Sequence, residues 1–333
     1  MLFASCEVEF SPNDTWRETP VVYCLLDQDD DTTYVRIQRC FLGEGNQYAY
    51  SPIRDSNVYS PTALSVYLQE WNTAADSRGI LHRVGDTPRR VFPMSYTEFD
   101  NKEEGLFFSQ RQPIYYLPSA GLFDTSFIYR LVVVKNATGD TIATAETPLI
   151  AGQMFLETPN DIIVFTFSGK AGECQMIWST IRNARQYRPI VRFHYRDFIV
   201  DTTVRPYDTT ITPHYVDIPC GTIKSDMRSY KLQTTLLRSV FLAALRNGIH
   251  DTVCNKNIID TVEINIQCCS EALAEYLFSV NPLGTFEREP FSYSNIEGGL
   301  GVFAARRRHI VFRVPSSPVG PYVNAIKELG IGF

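Results

Sequence analysis

Alternation of apolar and polar residues dominates the first half of the chain. Residues 64–69 read Leu-Ser-Val-Tyr-Leu-Gln, and residues 127–134 repeat the same two-residue period. This period is typical of strands with one buried face, because successive side chains point to opposite faces. Apolar and β-branched runs at 21–26 and 34–41 flank an aspartate-rich stretch, 27–31, which predicts a hairpin. Short strands separated by turns predict an Ig-like or prealbumin-like β-sandwich.

The second half mixes this alternation with a longer period. Apolar residues spaced by four predict an amphipathic helix near 230–247. Clean alternation at 262–267 predicts a strand, and 310–314 reads as another. Capping and stop residues predict short helices near 270–280 and 321–329. We therefore expect a mainly β protein whose second domain is β-rich and carries two or three helices.

These elements suggest how the chain divides. Its 333 residues favour two domains. The first 19 residues, 1–19, are interpreted as the remnant of a lipoprotein signal and a tether. The N-terminal β-sandwich domain is placed at 20–153 and the β-rich domain at 154–333. Within the second domain, the Thr- and Pro-rich residues 201–222 are expected to be irregular.

Composition and charge narrow the class of protein. The chain is 44% apolar and 20% charged, which suffices for a sizeable core. Its net charge of −6 argues against nucleic-acid binding, which requires a basic field. We interpret the basic run at 306–308 as a solvated part of a strand. No apolar run approaches the roughly 18 residues of a membrane span.

The usual signatures of catalysis do not occur in the sequence. The five histidines show no short metal-binding spacing, and no nucleophile elbow or phosphate-binding loop is present. Residues 27–31 lack the glycine and the glutamate that a calcium loop needs. His194, in an aromatic strand, is interpreted as structural. The sequence therefore predicts no catalytic residue, no metal and no cofactor.

The eight cysteines suggest few disulfides. In the predicted hairpin Cys24 should lie opposite about Val35, so a bond to Cys40 is not expected. Most of the cysteines are interpreted as small core residues. Cys220 and Cys254 are considered as one possible bridge.

The N-terminus resembles the end of a bacterial lipoprotein signal. Residues 1–6 read Met-Leu-Phe-Ala-Ser-Cys, an apolar stub and two small residues before Cys6. In such signals a peptidase cleaves beside small residues, and the thiol then carries the lipid. The alternative is a buried or incidental cysteine near the terminus.

A glycine-rich segment lies late in the chain. Gly298, Gly299 and Gly301 fall within four positions, between Asn295 and Phe303. Glycine is required where φ is positive or where another backbone approaches too closely for a Cβ atom. We interpret the segment as a packing device that is anchored by Phe303; a ligand loop is the functional alternative. The packing interpretation predicts that Gly299→Val costs folding before it costs binding.

These segments together resemble a family of outer-membrane lipoproteins of Bacteroidota, a domain family of unknown function that is often encoded beside TonB-dependent receptors. The specific part is the Asn-x-Glu-Gly-Gly-x-Gly-x-Phe signature at 295–303. The resemblance implies lipidation of Cys6 and a first β-domain. It carries over no catalytic residue. One departure is the sequence after Phe303, where two alanines and three arginines replace the family's small or aromatic run. The other segments that carry the resemblance are Pro20–Asp27, Tyr34–Ile37, Ala63–Leu68 and Tyr129–Val133.

Three hypotheses of function follow. The first is a lipid-anchored, non-enzymatic outer-membrane protein that assists a TonB-dependent receptor in nutrient or ion uptake. An aromatic pocket beside 295–303 would favour it. The second is a surface adhesin or a structural envelope protein, which a flat face with an exposed strand edge would favour. The third is an enzyme, which would require acids or histidines that converge in a cleft.

Overall fold

The structure is a computed structural model, and the chain falls into two compact units. The first unit comprises Met1–Leu149 and Glu275–Ala304, and the second comprises Ile150–Ala274 and Ala305–Phe333. Cys6 and the helix predicted at 321–329 lie outside the described residues. The described residues are 18–41, 47–77, 79–100, 103, 105, 111–159, 167–168, 170, 172–201, 203, 205, 208–226, 229–249, 256–280 and 293–315.

Strands make up most of the described chain. The strands up to Leu149 are β1 (Pro20–Asp27), β2 (Thr32–Arg39), β3 (Leu64–Trp71), β4 (Thr73–Ala75), β5 (Leu81–Arg83), β6 (Arg90–Pro93), β7 (Ser95–Phe99), β8 (Gln112–Pro118), β9 (Ile128–Lys135) and β10 (Thr141–Pro148). Those that follow are β11 (Leu156–Thr158), β12 (Glu173–Ser179), β13 (Gln186–Asp201), β14 (Asp208–Pro219), β15 (Ile223–Lys224), β16 (Lys231–Leu237), β17 (Lys256–Cys269) and β18 (Leu300–Pro315). The helices are α1 (Arg54–Asn57), α2 (Arg238–Gly248) and α3 (Glu271–Val280), and a 3-10 turn spans Gln47–Ala49.

The first unit is built from two main sheets. One has the strand order β18–β1–β2–β8–β7, and the other has the order β10–β9–β3–β6. Val22, Cys24 and Leu26 of β1 are buried, and half-buried residues alternate with them. β3 shows the same alternation. This is the pattern of sheets that bury one face, and it confirms the predicted β-sandwich.

The predicted β1–β2 hairpin is confirmed in register. Cys24 pairs with Val35 in the antiparallel ladder, as the turn length requires. Within the turn, the backbone N–H of Asp29 donates to the buried carboxylate of Asp27 at 3.1 Å. Cys40 therefore does not face Cys24, and both thiols are free. Cys220 also has a free thiol, which differs from the considered bridge to Cys254, a residue outside the described ranges.

The second unit contains a sheet of order β14–β13–β17–β18 and a smaller sheet of order β11–β12–β16. Its core is aromatic. Phe193 of β13 and Phe241 of α2 meet edge to face, with ring centroids 6.1 Å apart. Trp178 and Tyr187 are fully buried beside each other, with centroids 6.2 Å apart. The prediction of a β-rich second part that carries helices is confirmed.

The predicted helix at 230–247 is wrong in its first half. Lys231–Leu237 forms β16, and α2 begins only at Arg238. Leucines spaced by four also satisfy a strand, because four is a multiple of the two-residue strand period. The antiparallel partner β12 pairs with all of β16 and decides between the two. The apolar stripe of the true helix is Phe241 and Leu245.

The prediction that residues 201–222 are irregular is also wrong. β14 occupies Asp208–Pro219 and pairs along its length with β13. Its threonines and isoleucines favour a strand. Pro213 and Pro219 are tolerated because β14 is the last strand in this order among the described residues. On the side of β14 that faces away from β13, a missing N–H removes no hydrogen bond of the described sheet.

The compact units differ from the predicted ranges 20–153 and 154–333. The first boundary falls after Leu149, and the segment Glu275–Ala304 belongs to the first unit. The segment belongs there because its glycines lie against β1 and β10, far away in sequence. The strand predicted at 310–314 is the end of β18, which already begins at Leu300.

Candidate functional site

The glycine-rich segment lies against the backbone of β1. A Cβ atom on Gly301 would stand 2.0 Å from the carbonyl oxygen of Val22, and φ at Gly301 is +112°. A Cβ atom on Gly299 would stand 2.6 Å from the carbonyl oxygen of Pro20. Both positions therefore exclude any side chain, because backbone atoms cannot yield at such distances.

The other side of the segment is bonded to β10. Thr144 and Glu297 exchange two backbone hydrogen bonds, of 3.0 and 2.7 Å, and the Thr144 hydroxyl donates to the Glu297 carboxylate at 2.8 Å. A Cβ atom on Gly298, where φ is +78°, would stand 2.5 Å from the carbonyl oxygen of Ile142. The segment is thus fastened between two strands of its own unit.

Asn295 and Phe303 complete this arrangement. The Asn295 amide nitrogen donates to the Phe303 carbonyl at 2.7 Å, and the Phe303 N–H donates to the Asn295 amide oxygen at 3.0 Å. The Phe303 side chain is fully buried. The packing and hydrogen bonds of Asn295, Glu297, the three glycines and Phe303 therefore explain why these residue types occur in the signature, and no ligand is needed for this explanation.

A different site emerges at the end of β3. Glu70 continues the buried face that Leu64, Val66 and Leu68 form, and its side chain has no exposed surface. The antiparallel ladders place Arg90 of β6 directly opposite Glu70 on one side and Tyr129 of β9 on the other. A buried carboxylate requires such partners, because an unpaired charge in the core is strongly unfavourable.

The Glu70 carboxylate is held by three side chains. Arg90 binds both oxygens, with Nε donating to Oε1 at 2.9 Å and Nη2 donating to Oε2. Arg89 donates from Nη1 to Oε1. The Tyr129 hydroxyl donates to Oε2 at 3.0 Å and accepts the N–H of Asp124 at 3.0 Å. The cluster thereby joins β3, β6, β9 and the loop that precedes β9.

These contacts determine the charge state of the cluster. Desolvation by burial pushes the pKa of Glu70 up, but hydrogen bonds from Arg90, Arg89 and Tyr129 outweigh it, so the pKa is lowered. The hydrogen bond to Glu70 raises the pKa of Arg90. Burial raises the pKa of the Tyr129 hydroxyl. At neutral pH the cluster consists of one carboxylate, two guanidinium groups and a neutral phenol.

The two arginines line an open cleft of about 510 Å³. Their side chains are 45% and 42% exposed, in contrast to the Glu70 that holds them. The Arg89 guanidinium lies over the ring of Phe127 at 4.5 Å, and that of Arg90 lies over Phe92 at 5.1 Å. Fixed, partly exposed guanidinium groups can bind an anion without being reordered. The remaining lining residues are Gly121, Leu122, Phe123, Asp124 and Thr125.

None of the sequence patterns described above predicts this site, but one signal in the sequence points to it. The alternation at residues 64–69 continues to residue 70, the next position in the buried register, and this residue is an acid. An acid in a buried register implies basic partners. Those partners lie 19, 20 and 59 residues further along the chain, so the sequence alone does not name them.

The second unit contains two contacts between a histidine and an acid, which lie outside the cleft. His194 lies 3.3 Å from Glu263, which is buried, and His214 lies 3.0 Å from Asp197. Across the described ranges, no group of three histidine, cysteine or acidic residues is arranged to hold a metal ion. No helix among the described residues has the length and apolarity to cross a membrane.

Comparisons with known proteins do not indicate a family or a function for the chain. No protein-family model and no curated protein matches the chain. Among solved structures, it is similar to the C-terminal globular domain of an oligosaccharyltransferase from Pyrococcus abyssi, with a TM-score of 0.23 and 10% identity. The match covers 90% of this chain and 50% of that one, so the chain spans about half the length of that domain. Such a likeness is too weak to relate the two proteins.

Proposed function

We propose that the chain is a non-enzymatic binding protein of the outer membrane, anchored by a lipid on Cys6 and accessory to a TonB-dependent receptor in uptake. The observation that carries the binding role is the cleft beside Glu70, where a buried carboxylate fixes Arg89 and Arg90 at an open surface. No substrate-activating group is needed for such a role, since fixed donors suffice to retain a ligand.

The described part of the chain begins a short distance in sequence after Cys6. Glu18 forms an ion pair with Lys135, and the Thr19 carbonyl accepts the N–H of Cys40 at 2.9 Å. The first unit is thus secured at Glu18, and residues 7–17 separate this point from Cys6. Eleven residues can span at most about 40 Å. A lipid on Cys6 would hold the first unit within that distance of the membrane.

The anchor is tested in cells of a Bacteroidota host. We expect Cys6→Ala, and the wild type treated with globomycin, to shift from the membrane fraction to the soluble fraction. Cys40→Ala is the matched control, because it removes a half-buried thiol that the proposal does not use. Membrane fractionation that both treatments leave unchanged would refute lipidation.

The partnership is tested separately. We expect affinity purification of the wild type from native membranes in mild detergent to recover a TonB-dependent receptor. The control is the same purification with a tagged, unrelated outer-membrane lipoprotein. Recovery of no receptor, or of equal amounts with the control, would contradict the accessory role while leaving the anchor standing.

The adhesin alternative requires a strand edge that another chain can extend. Among the described strands, β14 is one of several that lie at the end of a sheet, and it is the longest of them. However, Pro213 and Pro219 offer no N–H, which weakens this edge as a template for pairing. The longest edge is therefore a weak template for pairing, and the cleft beside Glu70 is the observation on which we base the preference for ligand binding.

A further inference from the structure

The two arginines of the cleft bind Glu70 with different donors of their guanidinium groups. Arg90 uses Nε and Nη2, the parallel donors along one edge of its guanidinium, to bind both oxygens of Glu70. Arg89 reaches the same carboxylate with Nη1 alone. Among the described residues no acceptor binds the Nε–Nη2 edge of Arg89. That edge is the fork that matches a carboxylate or a phosphate with two parallel hydrogen bonds.

Arg89 is also held in place before any ligand arrives. Its backbone N–H donates to the Glu70 carbonyl at 2.8 Å, and its guanidinium stacks on Phe127 at 4.5 Å. The ion pair to the fully buried Glu70 restrains the far end of the side chain. A side chain with so few free torsions loses little entropy on binding, and this increases the affinity for a small ligand.

The charge around Arg89 restricts the ligand further. Glu70 offsets one of the two guanidinium charges. Asp124, which lines the cleft, offsets the other, because a carboxyl whose pKa is lowered from 3.8 by hydrogen bonds from the Ser126 backbone and side chain is ionised at neutral pH. A bare anion would meet both a guanidinium and a carboxylate. A ligand that presents a donor beside its oxyanion satisfies both.

We infer that the cleft binds a small ligand that carries a carboxylate or a phosphate next to a hydroxyl or ammonium donor, with the oxyanion on the Nε–Nη2 edge of Arg89 and the donor at Asp124. This inference rests on the binding role proposed for the same cleft. Glu70 is then a positioning residue, which aims Arg89 without touching the ligand.

The test uses three probes that share one sugar body: D-glucuronate, D-glucose 6-phosphate and D-glucose. Each is titrated into the purified full chain by isothermal titration calorimetry. We expect at least one of the two acidic sugars to bind and glucose not to bind. The acidic sugar that binds more tightly tells whether the oxyanion is a carboxylate or a phosphate.

Variants then assign the contact. Arg89→Lys keeps the charge but removes the fork, so we expect the affinity for the bound probe to fall on the order of tenfold or more. Arg54→Lys is the matched control, because Arg54 pairs with Glu98 at 2.7 Å outside the cleft, and its affinity should equal that of the wild type. In case Arg89→Lys does not fold, the Arg89 Hε resonance of the wild type gives a second measurement, since it should shift when the probe is added.

Three results would overturn the inference in distinguishable ways. Equal binding of glucose and the acidic sugars would refute the oxyanion and leave the binding role intact. Binding that Arg89→Lys leaves unchanged, or an Arg89 resonance that does not move, would refute the assignment of Arg89. If none of the three probes binds, the ligand class inferred for this cleft is refuted, whereas membrane fractionation and receptor recovery test the anchor and the partnership independently.

Discussion

The amide of Asn295 is bonded at both ends to the backbone of a single residue, Phe303. Its nitrogen donates to the Phe303 carbonyl at 2.7 Å, and its oxygen accepts the Phe303 N–H at 3.0 Å. Only a primary amide offers a donor and an acceptor in this geometry. The pair closes the glycine-rich segment into a loop whose end, Phe303, is fully buried.

We therefore predict that Asn295→Asp destabilises the protein although the two side chains have the same shape. A carboxylate can still accept the Phe303 N–H, but it places a negative oxygen against the Phe303 carbonyl. The expected loss in the free energy of unfolding is about 1–3 kcal/mol, the cost of leaving a buried group unsatisfied. Urea unfolding at pH 7, followed by circular dichroism, measures it.

The control for this substitution is Asn72→Asp in the same unit. Asn72 is exposed. We expect its change to stay within about 0.5 kcal/mol, as is usual for surface sites. If both variants lose the same stability, the effect is one of added negative charge and not of the bonds to Phe303.

A second prediction separates two reasons for glycine at position 301. Gly301→Ala would impose a side chain at φ +112° and bring its Cβ to 2.0 Å from the Val22 oxygen. Gly85→Ala meets a similar strain, at φ +88°, but open space. We expect Gly85→Ala to cost about 1–2 kcal/mol from strain alone, and Gly301→Ala to cost more than about 3 kcal/mol.

Thermal and urea unfolding of both variants measure this difference. Similar losses for the two variants would show that strain alone matters and that the approach of β1 does not. A Gly301→Ala protein that folds normally but loses only ligand binding would overturn the packing interpretation, and so would a Gly299→Val protein with that behaviour.

Local pattern predicted the parts of the fold that depend on neighbours in sequence. The β1–β2 register follows from the length of the turn, so the pairing of Cys24 with Val35 could be read in advance. The division between β16 and α2 could not, because leucines spaced by four fit both elements and only the pairing with β12 decides.

The candidate site could not be predicted from the sequence, for a related reason. Glu70 shares the buried register of β3, yet its partners Arg89 and Tyr129 reach it only through pairing with β6 and β9. Periodicity reports which face of a strand is buried, but it does not report which strand lies beside it. The glycines of the signature differ from Glu70 in this respect. The sequence indicated that another backbone approaches these glycines, although it did not indicate which backbone.

A third prediction concerns two cysteine thiols, that of Cys220, which is half-buried, and that of Cys269, which is buried. Burial raises the pKa of Cys220 to about 12 and that of Cys269 to about 11. Because the thiolate is the nucleophile, only roughly one Cys220 in ten thousand is reactive at pH 8. We expect iodoacetamide to modify Cys220 and Cys269 slowly in the native protein. In guanidinium at about 6 M, which unfolds the chain, we expect it to modify both quickly.

Peptide mass spectrometry over a time course measures each site. Cys40 is the internal reference for the buried Cys269, because Cys40 is half-buried, although burial also raises its pKa. It should be modified before the other two. Native modification of Cys269 that is as fast as that of Cys40 would contradict the burial of the Cys269 thiol.

The last prediction links Glu70 to acid stability. The folded-state pKa of Glu70 is lowered from 4.5, so the unfolded chain takes up its proton first as the pH falls. The stability that Glu70 contributes is therefore present above about pH 4.5 and is lost as the pH falls through the lowered pKa. We expect Glu70→Gln to cost about 1–3 kcal/mol at pH 7, less than a fully buried pair, because both arginines are partly exposed to water.

Urea unfolding of the wild type and Glu70→Gln from pH 7 to pH 3 tests this, and the stability difference should shrink below about pH 4.5. Glu98→Gln is the matched control, because Glu98, in contrast to Glu70, is partly exposed where it pairs with Arg54, and its substitution should cost less than about 1 kcal/mol. Tyr129→Phe should weaken the acid dependence in part, since it removes one of the bonds that lower the pKa of Glu70. A difference between wild type and Glu70→Gln that stays constant over the whole pH range would show that the ionised form of Glu70 does not hold the two arginines in place.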